Sequence, residues 1–470
     1  MERPNAWKRY DEAQLAELEA FASDYIRFIS TNKTERECAR TAIQLAEAAG
    51  YQNLDDLVSA HAQLRPGARV YASNRGKTIM LLELGTRPLT DGLNILGAHI
   101  DSPRLDVKQN PLEEKNGLAY LDTHYYGGIK KYQWVTMPLA LHGVVAKRDG
   151  SVVPVCVGED PSDPVLVITD LLIHLAYEQM DKKASQVIEG DMLDVLCGNR
   201  PLVVEEDAEP SEDDAQKNPV KAQLLSLLGE KYDIEEEDFL SAELEVVPAG
   251  PARELGLDRS MILGYGHDDR SCAYPSLRAQ LGLAEVPERT ALTLLVDKEE
   301  IGSVGATGIT SRFFENTLAE VLALAGYGEG TLALRRCLAE SRMLSSAFDP
   351  SFAGSFEPKN AAYLGRGLAF LKFTGARGKS GSNDADAEYV ALIRRIMDEG
   401  DVSWQTAELG KVDVGGGGTI AFIPAKYDMD VIDSGVSVLS MHSPWEVTSK
   451  ADIYEAIDTG MLKPLKQRKS

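Results

Sequence analysis

The run TALTLLV (290–296) leads without a break into DKEEIGSVGATG (297–308). Its apolar, β-branched character marks a strand buried in a sheet. That strand ends where Glu299 and Glu300 stand side by side, with Gly302 close behind. Adjacent carboxylates repel, so one needs a counter-charge or a raised pKa where the chain leaves a core. A solvated loop is one answer. A metal site is the other, with one glutamate as ligand and its neighbour as base.

A chain of 470 residues exceeds one ordinary core, so two or three domains are expected. Apolar residues make up 44% and charged residues 26%, the balance of a soluble globular protein. The net charge of -24 repels nucleic acid and anionic membranes, and no basic stripe reverses it. The five cysteines are scattered without a CxxC pair, which suits a reducing cytoplasm and argues against a disulfide framework or thiolate zinc. The segment MERPNAWKRYDEAQ has no apolar centre, so no signal peptide is expected. No run reaches the ~18 apolar residues of a membrane helix.

Residues 11–30 and 34–49 read as amphipathic helices, the second opened by a Thr34/Glu37 capping box and stopped at Gly50. KTIMLLEL (77–84) and LNILGAHID (93–101) read as strands. An α/β alternation follows later, with helices near 271–282, 310–325 and 384–398 and strands at 290–297 and 429–433. Between 107 and 251 the pattern changes to short β segments such as GVVAKRDGSVVPVCVG. This stretch reads as a domain inserted into an α/β domain formed by 1–106 and 252–470. EEDAEPSEDDAQ (205–216) reads as an exposed loop and VVPAGPARELG (246–256) as a linker. TGARGKS (374–380) lacks the first glycine of a phosphate loop, and VGGGGT (414–419) lacks dinucleotide-fingerprint spacing.

Few residues remain that could hold metal. His99 ends an apolar strand, and Asp101 lies two residues on, on the same side of an extended segment. The aspartate could then orient the imidazole, although a histidine there is also a common structural residue. Asp268 and Asp269 precede a helix, where aspartate also serves as an N-cap. His442 follows another apolar segment. With Glu299 and Glu300 these form a set that an open α/β sheet would gather at the carboxyl ends of its strands. Mixed histidine and carboxylate ligands suit zinc, and cobalt or manganese would also serve.

GAHIDSPRLDVK, GYGHDDRSCAYPSLRA, LLVDKEEIGSVGATG, GKSGSNDADAEYV, DVGGGGTI and LSMHSPWEVTSKAD occur in this order across nearly the whole chain. With them the chain resembles the aspartyl aminopeptidase family of dinuclear zinc metallopeptidases, particularly its bacterial members. The resemblance implies a mixed-sheet, three-layer α/β metallopeptidase domain with a β-rich insert for dimerisation. It implies that His99 and His442 bind different zinc ions, that Asp268 bridges them and that Glu300 is a further ligand. Glu299 would be the general base and Asp101 the group that orients His99. Lys372 matches a substrate-binding lysine. His174 matches an insert histidine that reaches a neighbouring subunit's active site, against the plain alternative of a core histidine. Peptide substrates, a weak preference for acidic amino-terminal residues and a dimer-based homo-oligomer, commonly a tetrahedral dodecamer, also follow from the resemblance.

The chain departs from the family at one place. Relatives carry a Ser-Ala-Asp segment, whose aspartate is a zinc ligand, shortly before an Asn-Pro or Asp-Pro step. Here the region reads SRMLSSAFDPSFAG (341–354), and the expected position holds no acid. Asp349 either replaces that ligand or begins a turn before Pro350. Two rival readings follow: another hydrolase of the same chemistry, such as a carboxypeptidase or deacylase, and a metal-poor scaffold.

Overall fold

A computed structural model describes residues 3–203, 217–328, 331–339, 341–345, 357–375, 377–408, 410–413 and 419–457. The acidic stretch 205–216, Asp349 and most of VGGGGT lie outside the described residues. By its internal contacts the chain divides into two compact units: residues 1–102, 252–441 and 445–470, and residues 103–251 with 442–444.

The first unit is built on a nine-stranded mixed sheet in the order 52–53, 69–74, 78–83, 290–296, 93–99, 342–345, 430–435, 368–371, 404–406. Its centre is parallel: Leu93–His99 pairs with Thr290–Val296 on one side and Arg342–Ser345 on the other, and Asp430–Gly435 continues the parallel set. All seven residues of Thr290–Val296 are buried, as the unbroken apolar run requires. Alternate side chains enter two separate cores. Ala291 and Leu295, with Leu96 and Ala98, pack against the helices Glu12–Thr31, Glu35–Ala48, His267–Leu281, Ala387–Glu399 and Lys450–Ile457. Leu292, Leu294 and Val296, with Ile95, pack against Leu54–Ser59, Phe313–Leu324 and Thr331–Ala339. Helices on both faces of one sheet make the three layers expected from the α/β alternation. The Thr34/Glu37 capping box forms as read, and Asp11 and Gln14 make a second one.

A smaller four-stranded antiparallel sheet also belongs to this unit, in the order 253–255, 261–264, 446–449, 438–439. It sets Gly264 opposite Glu446. The loop that follows Gly264 carries Asp268, so this pairing anchors one wall of the site described below.

The second unit is mainly β. Its six-stranded antiparallel sheet runs 152–157, 139–146, 242–248, 104–115, 118–126, 195–198. Asn116 and Gly117, both at positive φ (53° and 73°), turn the hairpin between its two longest strands. Asn-Gly suits this turn because both residues accept left-handed backbone at little cost. The segment read as a linker is partly strand: Ala242–Pro248 pairs with Leu139–Ala146 through Pro248 itself. Proline is tolerated there because the neighbouring strand on the other side, 104–115, pairs only with Glu245 and Val246 and makes no ladder bond at Pro248.

Candidate metal centre

The parallel strands deliver the site. Val296 lies opposite His99, so the chain beyond Val296 emerges beside His99 at the carboxyl edge of the sheet. Lys298 takes left-handed backbone (φ 70°), Gly302 does likewise (φ 94°), and Glu299–Ile301 form a tight helical turn between them. The Asp101 carboxylate holds this turn. Its Oδ1 accepts from the Glu299 N–H and its Oδ2 from the Glu300 N–H, each at 3.2 Å. Two backbone donors on one carboxylate fix adjacent glutamates in a conformation that their mutual repulsion opposes.

His99 is buried. Its Nδ1 lies 3.0 Å from the Asp101 carbonyl oxygen and 3.4 Å from Asp101 Oδ1. Its Nε2 lies 3.2 Å from Asp268 Oδ1 and 3.8 Å from Glu299 Oε2. Ligand atoms of His99, Glu299 and Glu300 all fall within 4.8 Å of one another. Burial alone would push the imidazole pKa down, but the carboxylates of Glu299, Asp101 and Asp268 outweigh it and raise the pKa well above 6.5. Such a cluster asks for positive charge, which a proton on His99 or a metal ion can provide. One histidine among carboxylates is a donor set that fits zinc.

Asp268 and Asp269 are joined by a cis peptide bond and have non-helical backbone angles, although the helix is counted from His267. The Asp268 side chain faces His99 instead of capping the helix. The preceding loop is gripped at each step. Gly266 adopts φ +75°, and a Cβ there would lie 2.2 Å from Arg270 Nη1, so no other residue fits without displacing that guanidinium. Arg270 donates to the carbonyls of Tyr265 and Lys33 at 3.3 and 2.6 Å. His267 Nε2 lies 3.2 Å from the Ile262 carbonyl oxygen and so donates to it, which leaves Nδ1 to accept from the Tyr25 hydroxyl at 2.8 Å. Burial holds the His267 pKa down to about 3, so this neighbour of Asp268 is a neutral structural residue.

His442, Lys372 and His174 are the other described candidates. His442 groups with the second unit, at φ 63°, and its Nδ1 lies 2.9 Å from the Gly128 carbonyl oxygen. That donor bond leaves Nε2 with its lone pair. Lys372 is half-exposed, with Nζ 3.7 Å from Asp384 Oδ1. Lys379 meets the same carboxylate at 2.9 Å. His174, read alternatively as a core histidine, is instead exposed in the short turn Ile173–Leu175. The reading failed because the apolar residues around it are themselves outside: Leu172, Ile173, Leu175 and Tyr177 are all exposed.

Three buried polar residues were not found by sequence reasoning. Ser102 and Glu446 contact the Asp268 backbone. Asp433, fully buried on a central strand, has its pKa pushed up to about 7 by burial, with Glu299 adding to the rise and the Thr419 hydroxyl opposing it. Asp433 ends the strand read from sequence as 429–433, which was the available signal, and the structure places it inside the strand Asp430–Gly435. Ser102 and Glu446 lie 166 and 178 residues from Asp268; each falls inside a stretch that carries the resemblance, beside Asp101 and His442, but nothing local in those stretches marks it as a contact of Asp268.

Known proteins share this architecture. A model of the aminopeptidase I zinc metalloprotease (M18) family matches residues 28–460. A Clostridium acetobutylicum protein described as a probable M18 family aminopeptidase 1 is 56% identical over 459 residues, 97% of this chain and 96% of that protein. The crystal structure of an M18-family aminopeptidase from Thermotoga maritima superposes with a TM-score of 0.91 at 43% identity, covering 99% of this chain and 100% of the other. A dodecamer from S. cerevisiae shares the fold with a TM-score of 0.73 at 19% identity, over 94% of this chain and 95% of that one. With a family match over most of its length and a full-length relative above half identity, the chain belongs to the M18 aminopeptidase I family of zinc metalloproteases.

Proposed function

We propose that this chain is a zinc-dependent aminopeptidase that releases single residues from the amino termini of peptides. One observation carries the reading: a chain of the M18 family holds His99, Asp268, Glu299 and Glu300 together at the carboxyl edge of its sheet. His99, Asp268, Glu300 and His442 are the residues that would hold the metal in this reading. Bound zinc supplies Lewis acidity toward the peptide carbonyl and lowers the pKa of water. Glu299 takes the proton from the attacking water and returns it to the leaving amine. Asp101 keeps Glu299 in place through the backbone bond it accepts. Asp349 is the candidate for the missing aspartate ligand, and cobalt or manganese would serve where zinc is weakly held.

The β-rich unit serves assembly in this proposal. Its segment 171–180 exposes Leu171, Leu172, Ile173, Leu175, Tyr177 and Met180 together, and a contiguous apolar patch of this kind marks a contact surface. The S. cerevisiae protein that shares the fold is a dodecamer, which supports a homo-oligomer; in this reading the oligomer is dimer-based and His174 completes a neighbouring subunit's site. Among the described residues no helix is long and apolar enough to cross a membrane, and the five cysteines are free, which fits a cytoplasmic enzyme. Lys372 is the group that would meet an acidic substrate side chain, and Asp384 already competes for it.

Dipeptides blocked at one end or the other test the activity. An aminopeptidase cleaves the carboxyl-blocked substrate and leaves the amino-blocked one intact. The reverse pattern would assign a carboxypeptidase. No turnover of either by zinc-loaded protein would favour the scaffold reading that the missing aspartate raises.

A further inference from the structure

Asp268 is held by more than its own loop. Its N–H donates to Glu446 Oε2 at 3.0 Å, and its carbonyl oxygen accepts from the Ser102 hydroxyl at 2.8 Å. Glu446 and Ser102 are each 1% exposed. The two come from different parts of the first unit: Glu446 opens the strand Glu446–Ser449 opposite Gly264, and Ser102 follows Asp101. Both polar groups of one residue's backbone are therefore satisfied by buried side chains, not by helix bonds. A carboxylate buried opposite Gly264 carries a desolvation cost that its hydrogen bonds must offset.

We propose that Glu446 and Ser102 are positioning residues that set the orientation of the Asp268 carboxylate toward metal. The proposal rests on Asp268 being a metal ligand, as read above. The physical reason is that a ligand's affinity depends on the outer contacts that fix its direction, and loss of such a contact typically costs 10–100-fold in metal affinity. Glu446 supplies the stronger hold because its acceptor is charged. Ser102 supplies the weaker one. Because both act on one residue, their losses should not add.

Zinc binding measured by competition with a chelator, on the full-length protein, tests this without relying on turnover. Glu446→Ala should weaken retention of at least one zinc by roughly 10–100-fold. Glu446→Gln keeps an acceptor oxygen and should recover most of that loss. Ser102→Ala should weaken retention by a smaller factor, and the Ser102→Ala/Glu446→Ala pair by less than the product of the two. Saturating zinc should restore turnover in each variant, so the defect appears in metal dependence and not in the maximal rate. Asp268→Asn is the control for the underlying reading. If Asp268→Asn keeps wild-type zinc affinity, Asp268 is no ligand and that reading fails. If Asp268→Asn loses zinc while folded Ser102→Ala and Glu446→Gln both match wild type and Glu446→Ala does too, the ligand stands and the positioning role is overturned. Ser102→Ala removes only a hydroxyl, so it keeps the test decisive even where Glu446→Ala fails to fold; unchanged zinc affinity in Ser102→Ala together with a Glu446→Gln as damaged as any unfolded variant would also overturn the proposal.

Discussion

His99 and Asp268 are 1% and 4% exposed, whereas Ile173 and Tyr177 in the β-rich unit are 68% and 80% exposed. The first unit hides groups that prefer water, and the second shows groups that avoid it. Burying an ion costs several kcal/mol unless a partner compensates. Each large apolar side chain left in water forgoes about 1.5–3 kcal/mol. Each region thus points to something beyond the single chain: a cation for the carboxylates, and apolar surface for segment 171–180. The contrast also separates two kinds of dependence, one on metal and one on subunit concentration.

Metal removal gives the largest effect. Chelation should abolish turnover, and added zinc should restore it. The proposed reading has two metal positions and no acid at the aspartate position that the resemblance implies within 341–354, so it predicts that the two should differ, with one ion retained and one lost on mild dialysis. Elemental analysis after dialysis reads this directly. Two ions retained, with one lost in Asp349→Ala, would show that Asp349 fills the gap. Two ions retained regardless of that mutation would remove both the gap and the substitute.

Disrupting the exposed segment should act through assembly instead. Ile173→Asp combined with Leu175→Asp should lower the oligomer's mass by light scattering while each subunit keeps its zinc. His174→Ala should lower activity at unchanged zinc content, and mixing its subunits with Glu299→Gln subunits should recover part of the activity. An unchanged mass in the double variant would mean that the patch is not a contact. No recovery after verified mixing would leave His174 out of its neighbour's site.

A smaller effect comes from an acid buried away from this cluster. Asp452 is fully buried, and its carboxylate accepts from the Gly365 and Gly367 N–H groups at 2.8 and 2.7 Å. Burial raises its pKa from 3.8 to about 7 against those bonds. The folded state therefore holds a proton between these values that the unfolded chain has released. The stability this group contributes is complete below pH 3.8 and is lost as pH rises through 7, at no more than about 1.4 kcal/mol per pH unit. Asp452→Asn should flatten the decline between about pH 4 and 7 in chemical denaturation. An identical slope in the variant would show that Asp452 is ionised throughout, and so that burial alone does not distinguish it from the metal cluster.

How legible the site was depended on sequence distance. Glu299, Glu300 and His99 could be found because an apolar run stops on each of them, and the sheet then brings the run ends together. Asp101 was legible as a neighbour of His99, but its grip on the Glu299 and Glu300 N–H groups needs a turn geometry that no motif encodes. Helix 35–48 announced itself through Thr34 and Glu37 because a cap is a contact three residues long. Strand 242–248 was missed because Pro248 and Gly250 punctuate locally, while the pairing with 139–146 that overrides them is non-local. The exposed setting of His174 was hidden for a similar reason: apolar neighbours read as core until the fold shows that nothing in the chain covers them among the described residues.

In the proposed function the glutamate pair divides its labour, with Glu300 on the metal and Glu299 on the proton. Glu299→Gln preserves shape and hydrogen-bonding reach but cannot take a proton. Its zinc content and its rate on a carboxyl-blocked dipeptide should be measured on the same preparation. Wild-type zinc and a rate lower by at least ~10²-fold, the usual scale of a lost general base, are expected. A zinc-loaded Glu299→Gln enzyme that turns over at close to the wild-type rate would contradict that division.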